Sequence, residues 1–354
     1  MEVKPEVGGK LIHIKSIEIS GKDLYYYDYD IDPRMRIMPW LGIEAPEGWT
    51  PSIDKNSRIG SRLPYDWEEV YRSTFKQEFQ PVRFMSNAVS LLRCAGNPHI
   101  YESSLILSLA DELIGYSMEY ILDYKDAKYV YHRFDFVQKD LFIPSGWVGA
   151  CAQAFVLLAY TRLAKIFPDK GLPIVKGLAD AFRAAYVAHA EPPPYWISYI
   201  DEESNLWFEE YPMPQGRPNL VLNGHIFAIH ALHEANKIIP DNGYDILSKL
   251  GITTVRKNVR KFRRKGNSNI YSLLGPRKGD YLPRRTIRQQ CELYALTGDT
   301  FFRNMGSTFM KDMGHLINDS NEKKESMRHC FNRFLWNESL ILSDDMGSTD
   351  DPNS

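Results

Sequence analysis

Long apolar runs are missing from this 354-residue chain. No segment nears the roughly 20 consecutive apolar residues of a bilayer span, so no membrane span is expected. Cysteine is scarce: Cys94, Cys151, Cys291 and Cys330 lie far apart without a CxxC pair. That spacing argues against a redox or zinc-ribbon motif and leads us to expect reduced, mostly buried thiols in a reducing, cytoplasmic compartment. The opening "MEVKPEVGGKLIHIKSIEIS" has no apolar core flanked by basic residues, so no secretory signal is expected, and the sequons at Asn318 and Asn337 are expected to go unused. A charge excess is also lacking. The net charge of -2 offers no global attraction to nucleic acid or an acidic membrane. Neither GxGxxG nor GxxxxGK[ST] nor GxSxG occurs, which removes the usual phosphate loops and the serine nucleophile elbow. No cofactor is expected.

Aromatic residues, by contrast, are plentiful. The 21 tyrosines and 7 tryptophans fit either a site for flat sugar faces or a tyrosine-rich core. Over residues 1–64, "LIHIKSIEI" alternates and "DLYYYDYDIDP" leads into Pro-, Gly- and Asp-rich sequence, predicting a β/loop lead-in. Helical spacing then takes over, from "DWEEVYRSTFKQEF" through "IYESSLILSLADELIGYSMEYILDY", "WVGACAQAFVLLAYTRLAKIF", "LPIVKGLADAFRAAYVAHA", "NLVLNGHIFAIHALHEANKII", "GYDILSKLGITTVRKNVRKF", "RTIRQQCELYALTG" and "TFFRNMGSTFMKDMGHLIN" to "EKKESMRHCFNRFLWN". An extended pair is expected within "AKYVYHRFDFVQKDLFIPSG". Helices in pairs joined by short turns predict a mainly α fold, an α/α toroid over residues 65–338, with its concave end offering a site. The acidic residues 339–354 are expected to be disordered.

His225, His230 and His233 invite a zinc reading that the spacing declines: at 100° per residue His225 points about 140° away from His230, and neither HExxH nor its inverse is present. No metal is expected. The basic run from Val255 to Asn269 reads as a solvated face or a contact for an anion. No recognised nucleic-acid motif accompanies it, so no nucleic-acid partner is expected.

Carboxylates and phenols remain. In "WFEEYPMPQGRPNLVLNGHIFAIH", residues 207–230, Glu209, Glu210 and Tyr211 precede Pro212. Proline disfavours helix at Tyr211, so the stretch is either a packed loop with Phe208 and Tyr211 buried or a stiff turn aiming side chains into a cavity.

The stretch resembles the C-terminal catalytic region of the D-glucuronyl C5-epimerases. "WFEEYP" followed by "VLNGHIFAIHAL" is similar to that family's "FEEYP" and "VLNG". "IYSLLG" at 270–275 and "GDYLPRR" at 279–285 resemble its "IYDLR" and "WDYH" segments. Upstream, "QPVRFMSNAVSLL" and "GWVGACAQAFVLLAYTRLAKIF" extend the likeness to roughly residues 80–317. The resemblance implies an α/α toroid and catalytic roles for Glu210, Tyr211, Tyr271 and Tyr281. Leu274 and Leu282 stand where the family has an arginine and a histidine, which puts substrate-carboxylate binding in question.

Epimerising a uronate requires removal of a weakly acidic C5 proton and its return on the opposite face, hence two acid/base groups. Glu210 suits the base, with tyrosines as acid and relay. Charge gathering on the substrate carboxylate needs a cation, for which Arg284, Arg285 and Arg288 are the candidates. Trp147, Gln153, Phe208 and Asn223 are candidate sugar contacts. The implied partner is a glucuronate-containing polysaccharide or glycan, the protein itself a homodimer. A lyase or glycosidase on the same fold, a noncatalytic glycan-binding protein and a nucleic-acid binder are the alternatives.

Overall fold

The computed structural model describes residues 6–7, 10–11, 13–31, 81–82, 85, 88, 103–138, 141–213, 215–275 and 283–316. The expected tail, the "EKKESMRHCFNRFLWN" helix and the "DWEEVYRSTFKQEF" stretch lie outside them. In chain order the strands β1 (Glu6–Val7), β2 (Lys10–Leu11), β3 (His13–Ile19) and β4 (Lys22–Asp28) form the lead-in. Helix α1 (Ser103–Tyr116) follows, then the hairpins β5 (Ile121–Tyr124) with β6 (Ala127–Val130) and β7 (Phe136–Gln138) with β8 (Leu141–Ile143). Next come α2 (Ala150–Ile166), α3 (Pro168–Asp180), β9 (Ala185–Val187), β10 (Ser198–Ile200) and β11 (Leu206–Phe208). The chain closes with α4 (Leu222–Ile238), α5 (Asn242–Asn258), α6 (Pro283–Thr297) and α7 (Thr300–Met313).

Three helix pairs build the body. Each of α2, α4 and α6 packs on the helix that follows it, and α2 also packs on α4 and α4 on α6. This is the expected mainly α, α/α-toroid layout, with inner helices α2, α4, α6 and outer helices α3, α5, α7. Burial marks the division: fourteen of the 17 residues in each of α2 and α4 are buried, as in helices with neighbours on every side. Outer α7 buries one stripe, Phe302, Met305, Gly306, Phe309, Met310 and Met313, spaced three and four apart.

Tertiary pairing overrides helical spacing twice. The stretch ending "SMEYILDY" leaves the helix at Tyr116 and becomes β5, and "AYVAHA" becomes β9, parallel to β10, which in turn pairs antiparallel with β11. Strand partners fill the backbone valences that a longer helix would have filled internally. The lead-in hairpin turns at Ser20 and Gly21, both at positive φ, and docks on α5, where the Tyr27 amide donates to Thr253 Oγ1 (3.0 Å) and Lys249 pairs with Asp28 (2.8 Å).

One expectation is corrected. Cys151 is a free, buried thiol, but Cys291 is disulfide-bonded, so the reduced-thiol reasoning for a reducing compartment does not extend to it. Among the described residues, no helix is long and apolar enough to cross a membrane.

Candidate active site

Strand β11 ends at Phe208, and the next two residues turn into the interior between the starts of α2 and α4. Glu209 donates its amide to Ile197 O (2.8 Å) and accepts the Ala150 amide on its own carbonyl (2.8 Å), which ties the turn to β10 and α2. Glu210 follows, 8% exposed, with its carboxylate against the first turn of α4. A Cβ on Gly224 would lie 2.5 Å from Glu210 Oε2, and one on Gly149 would lie 2.4 Å from Glu210 O. Glycine at both places lets the two inner helices close on this residue.

Two phenols converge on it. Tyr271 donates to Glu210 Oε1 (3.1 Å), and the Tyr211 and Tyr271 hydroxyls lie 3.4 Å apart. Sixty residues of sequence separate these tyrosines. Burial pushes the Glu210 pKa up to about 7, against the pull of both phenols and of the Arg285 guanidinium, which favour its ionised form. Burial and the nearby Glu210 charge push the Tyr211 phenol well above its ordinary value, so it is a neutral donor. The site therefore holds a carboxyl poised to exchange a proton near neutrality, beside a protonated phenol.

An aromatic wall backs the phenols. Phe136 of β7 stacks on Tyr211 (4.7 Å, 21°), Trp147 lies 6.0 Å from Tyr211, and His132 stacks on Trp147 (3.7 Å, 14°). Neither His132 ring nitrogen has a hydrogen-bond partner among the described residues, and burial lowers its pKa to about 3.

The other expected site residues divide. Asn223 stands beside Gly224, its carbonyl accepting from Gln289 Nε2 (3.1 Å) and its Oδ1 without a partner among the described residues. Arg285 acts electrostatically on Glu210 and on Cys151, a buried thiol that sequence reasoning did not place here. Arg288 donates to Glu292 Oε1 (2.9 Å), four residues further along α6. The Trp147 indole donates to Phe134 O (3.1 Å), so its polar edge is occupied and only its ring contributes to the wall. Gln153 is corrected: its Oε1 accepts from the Val130 amide, and its Nε2 donates to Lys128 O and Leu178 O. Both donors bind β6 and α3, leaving none for a sugar. Phe208 is a core residue, 1% exposed, stacked on His225 and edge-on to Phe182. Tyr281 and the Arg284 side chain lie outside the described residues. Leu274 is described, and more than half exposed.

His225 and His230 of α4 are held by different partners. His225 Nδ1 accepts the Phe208 amide (2.9 Å), so its Nε2 carries the proton and donates to Gly251 O (3.0 Å), and burial lowers its pKa to about 4. His230 lies 3.8 Å from Glu292 Oε2. Among the described residues, no group of three or more His, Cys, Asp or Glu side chains could hold a metal ion. The basic run is largely paired internally: Arg256 with Asp299 (2.7 Å), Arg263 with Asp312 (2.7 Å), Lys261 with Glu203 (3.3 Å), and Arg260 over the Phe301 ring.

No curated protein matches the chain. Among solved structures, D-mannose isomerase is 12% identical, with 67% of this chain and 57% of that chain covered at a TM-score of 0.41. Cellobiose 2-epimerase from Bacillus thermoamylovorans B4167 is 15% identical (68% and 62% covered, TM-score 0.47), and that from Spirochaeta thermophila DSM 6192 is 11% identical (71% and 71% covered, TM-score 0.47). The chain thus spans less than two thirds of the length of the first two. The family described as D-glucuronyl C5-epimerase C-terminus matches residues 124–311, over half of the sequence and every described residue of the Glu210 site. The chain belongs to the D-glucuronyl C5-epimerase C-terminus family.

Proposed function

We propose that the protein is a uronate C5-epimerase that converts D-glucuronate to L-iduronate within a polysaccharide or glycan. The observation that carries this reading is the buried Glu210 carboxylate held within hydrogen-bond reach of Tyr271, which in turn neighbours Tyr211. Ionised Glu210 takes the C5 proton. A neutral phenol returns one on the opposite face, and Tyr271, within reach of both Glu210 and Tyr211, relays protons between them. Arg285 offsets charge gathering on the substrate carboxylate, the task for which Leu274 is unsuited. Tyr281 and Arg284 are further candidates for acid and cation, and the substrate-bearing form is a homodimer in this proposal.

The test is incubation of unsulfated glucuronate polymer in deuterated water, reading C5 deuterium and iduronate by NMR. Glu210→Gln is expected to lower exchange by at least about 100-fold, the usual scale for a lost acid/base group. Tyr271→Phe removes a hydrogen bond that favours ionised Glu210, so the acid limb of its pH profile moves to higher pH. A product absorbing in the ultraviolet would mean β-elimination instead. Binding without exchange in the intact protein would mean a glycan-binding protein.

A further inference from the structure

Glu209 is fully buried and takes no part in the proton chemistry above. Both of its carboxylate oxygens accept backbone amides: Oε1 from Tyr211 (3.0 Å), Oε2 from Asn219 and from Leu220 (2.9 Å each). Among the described residues it has no cationic partner. The segment it grips is strained. Leu220 has φ of +55°, a left-handed conformation that a branched, bulky residue adopts only when its surroundings impose it.

That strained segment carries the second tyrosine. Asn219 O accepts the Leu274 amide (3.2 Å), Leu220 O accepts the Leu273 amide (3.3 Å), and Val221 bridges to Ser272. The segment bridged in this way follows directly on Tyr271, whose hydroxyl reaches Glu210. On the other side, Asn219 Nδ2 donates to Tyr211 O (2.7 Å), and Val221 leads into α4, which brings Gly224 against Glu210. A single buried carboxylate therefore joins the backbone of Tyr211, the start of α4 and the bridged segment that presents Tyr271.

We infer that Glu209 is the positioning residue of the site: its carboxylate clamps residues 219–220, sets Tyr211 and Tyr271 against Glu210, and when ionised places a negative charge beside the reacting carboxyl. The positioning claim builds on the epimerase reading, but the clamp itself can be measured without substrate. Burial raises the Glu209 pKa above the usual carboxylate value, against the pull of the backbone amides it accepts; ionised, it accepts three N–H groups and offers no proton, as those donors require. Its charge also raises the proton affinity of Glu210. A packing residue would have no such electrostatic effect.

The experiment pairs amide hydrogen exchange with C5 exchange on unsulfated glucuronate polymer, using the full chain. In the unaltered protein the Asn219 and Leu220 amides are expected to be protected at neutral pH. Rapid exchange there overturns the clamp even if no variant folds. Glu209→Gln is expected to speed exchange at Asn219, Leu220, Leu273 and Leu274 by at least about tenfold, to lower kcat more than tenfold with KM within about twofold, and to move the acid limb of the pH profile to lower pH. Glu209→Asp keeps the charge and is expected to restore that limb. Unchanged amide protection and an unmoved limb in Glu209→Gln would refute the inference. If the intact protein exchanges no C5 deuterium, the epimerase reading falls, while the amide data still decide the clamp.

Discussion

Glu210 owes its properties to what is packed against it more than to its neighbours in sequence. Gly224 is the clearest instance: a side-chain carbon there would sit 2.5 Å from Glu210 Oε2 and 2.9 Å from its Cβ. Gly224→Ala is therefore expected to displace the carboxylate, to destabilise by about 1–3 kcal/mol as an overpacked core does, and to lower C5 exchange at least about tenfold. Calorimetry and the deuterium assay read the two effects separately. Full activity in a destabilised Gly224→Ala would dissociate the position of Glu210 from the chemistry. "FEEYP" left open a packed loop or a stiff turn aimed into a cavity; in the structure Phe208 is core while Glu210 meets two phenols. His132 was not legible as part of the wall. It becomes so only because β5–β6 and α2 bring its backbone against Trp147, where its amide donates to Trp147 O (2.8 Å).

Among the elements, the junction of the lead-in hairpin, α5 and α7 depends on one carboxylate. Asp299 caps α7 by accepting the Phe301 amide (2.9 Å), accepts the Tyr29 hydroxyl (3.1 Å), and pairs with Arg256 of α5 (2.7 Å). The cap is local, an aspartate immediately ahead of a helix, whereas the other two partners come from residues more than forty positions away and leave no local trace. Asp299→Ala removes the cap and leaves a mostly buried guanidinium without its partner, so a loss of about 3 kcal/mol is expected. Arg260→Ala, at an exposed cation-π contact with Phe301, is expected to cost under about 1 kcal/mol. Urea midpoints measure both. Equal effects would mean that the junction does not depend on Asp299.

Taken together, the buried ionisable groups set how the folded state responds to acid. His132, His225 and His230 titrate near 3, 4 and 3 in the folded protein because burial disfavours their charged forms. In the unfolded chain they bind protons below about pH 6.5, so stability falls as pH falls through that range. Glu210 and Glu292, raised to about 7 by burial, and Glu209, also raised by burial, act oppositely, because between their folded values and their unfolded values near 4.5 the folded state binds more protons. The two sets largely offset each other from pH 7 to about 5. Below about pH 4.5 the glutamates contribute no further change, and Asp28, Glu234 and Asp241, held below their ordinary values by lysine and arginine partners, add to the loss. A shallow profile of urea midpoints from pH 7 to 5 with a steep fall below about 4.5 is expected, at about 1.4 kcal/mol per pH unit for each unmatched proton. A midpoint that stays level down to pH 3 would contradict this.

Local sequence was enough for most of the helices and their pairing, because apolar residues three and four apart favour a helix with one buried face, but it missed β5 and β9, where strand partners took over residues with helical spacing. It was also enough to single out the carboxylate-phenol stretch. It could not reveal that Gln153 binds backbone, that Arg288 faces Glu292, or that Glu209 grips amides ten and eleven residues ahead. Those outcomes depend on which buried polar groups meet once the chain closes. A buried donor or acceptor must find a partner wherever the packing places one, and that constraint is long-range, with no local trace in composition or spacing.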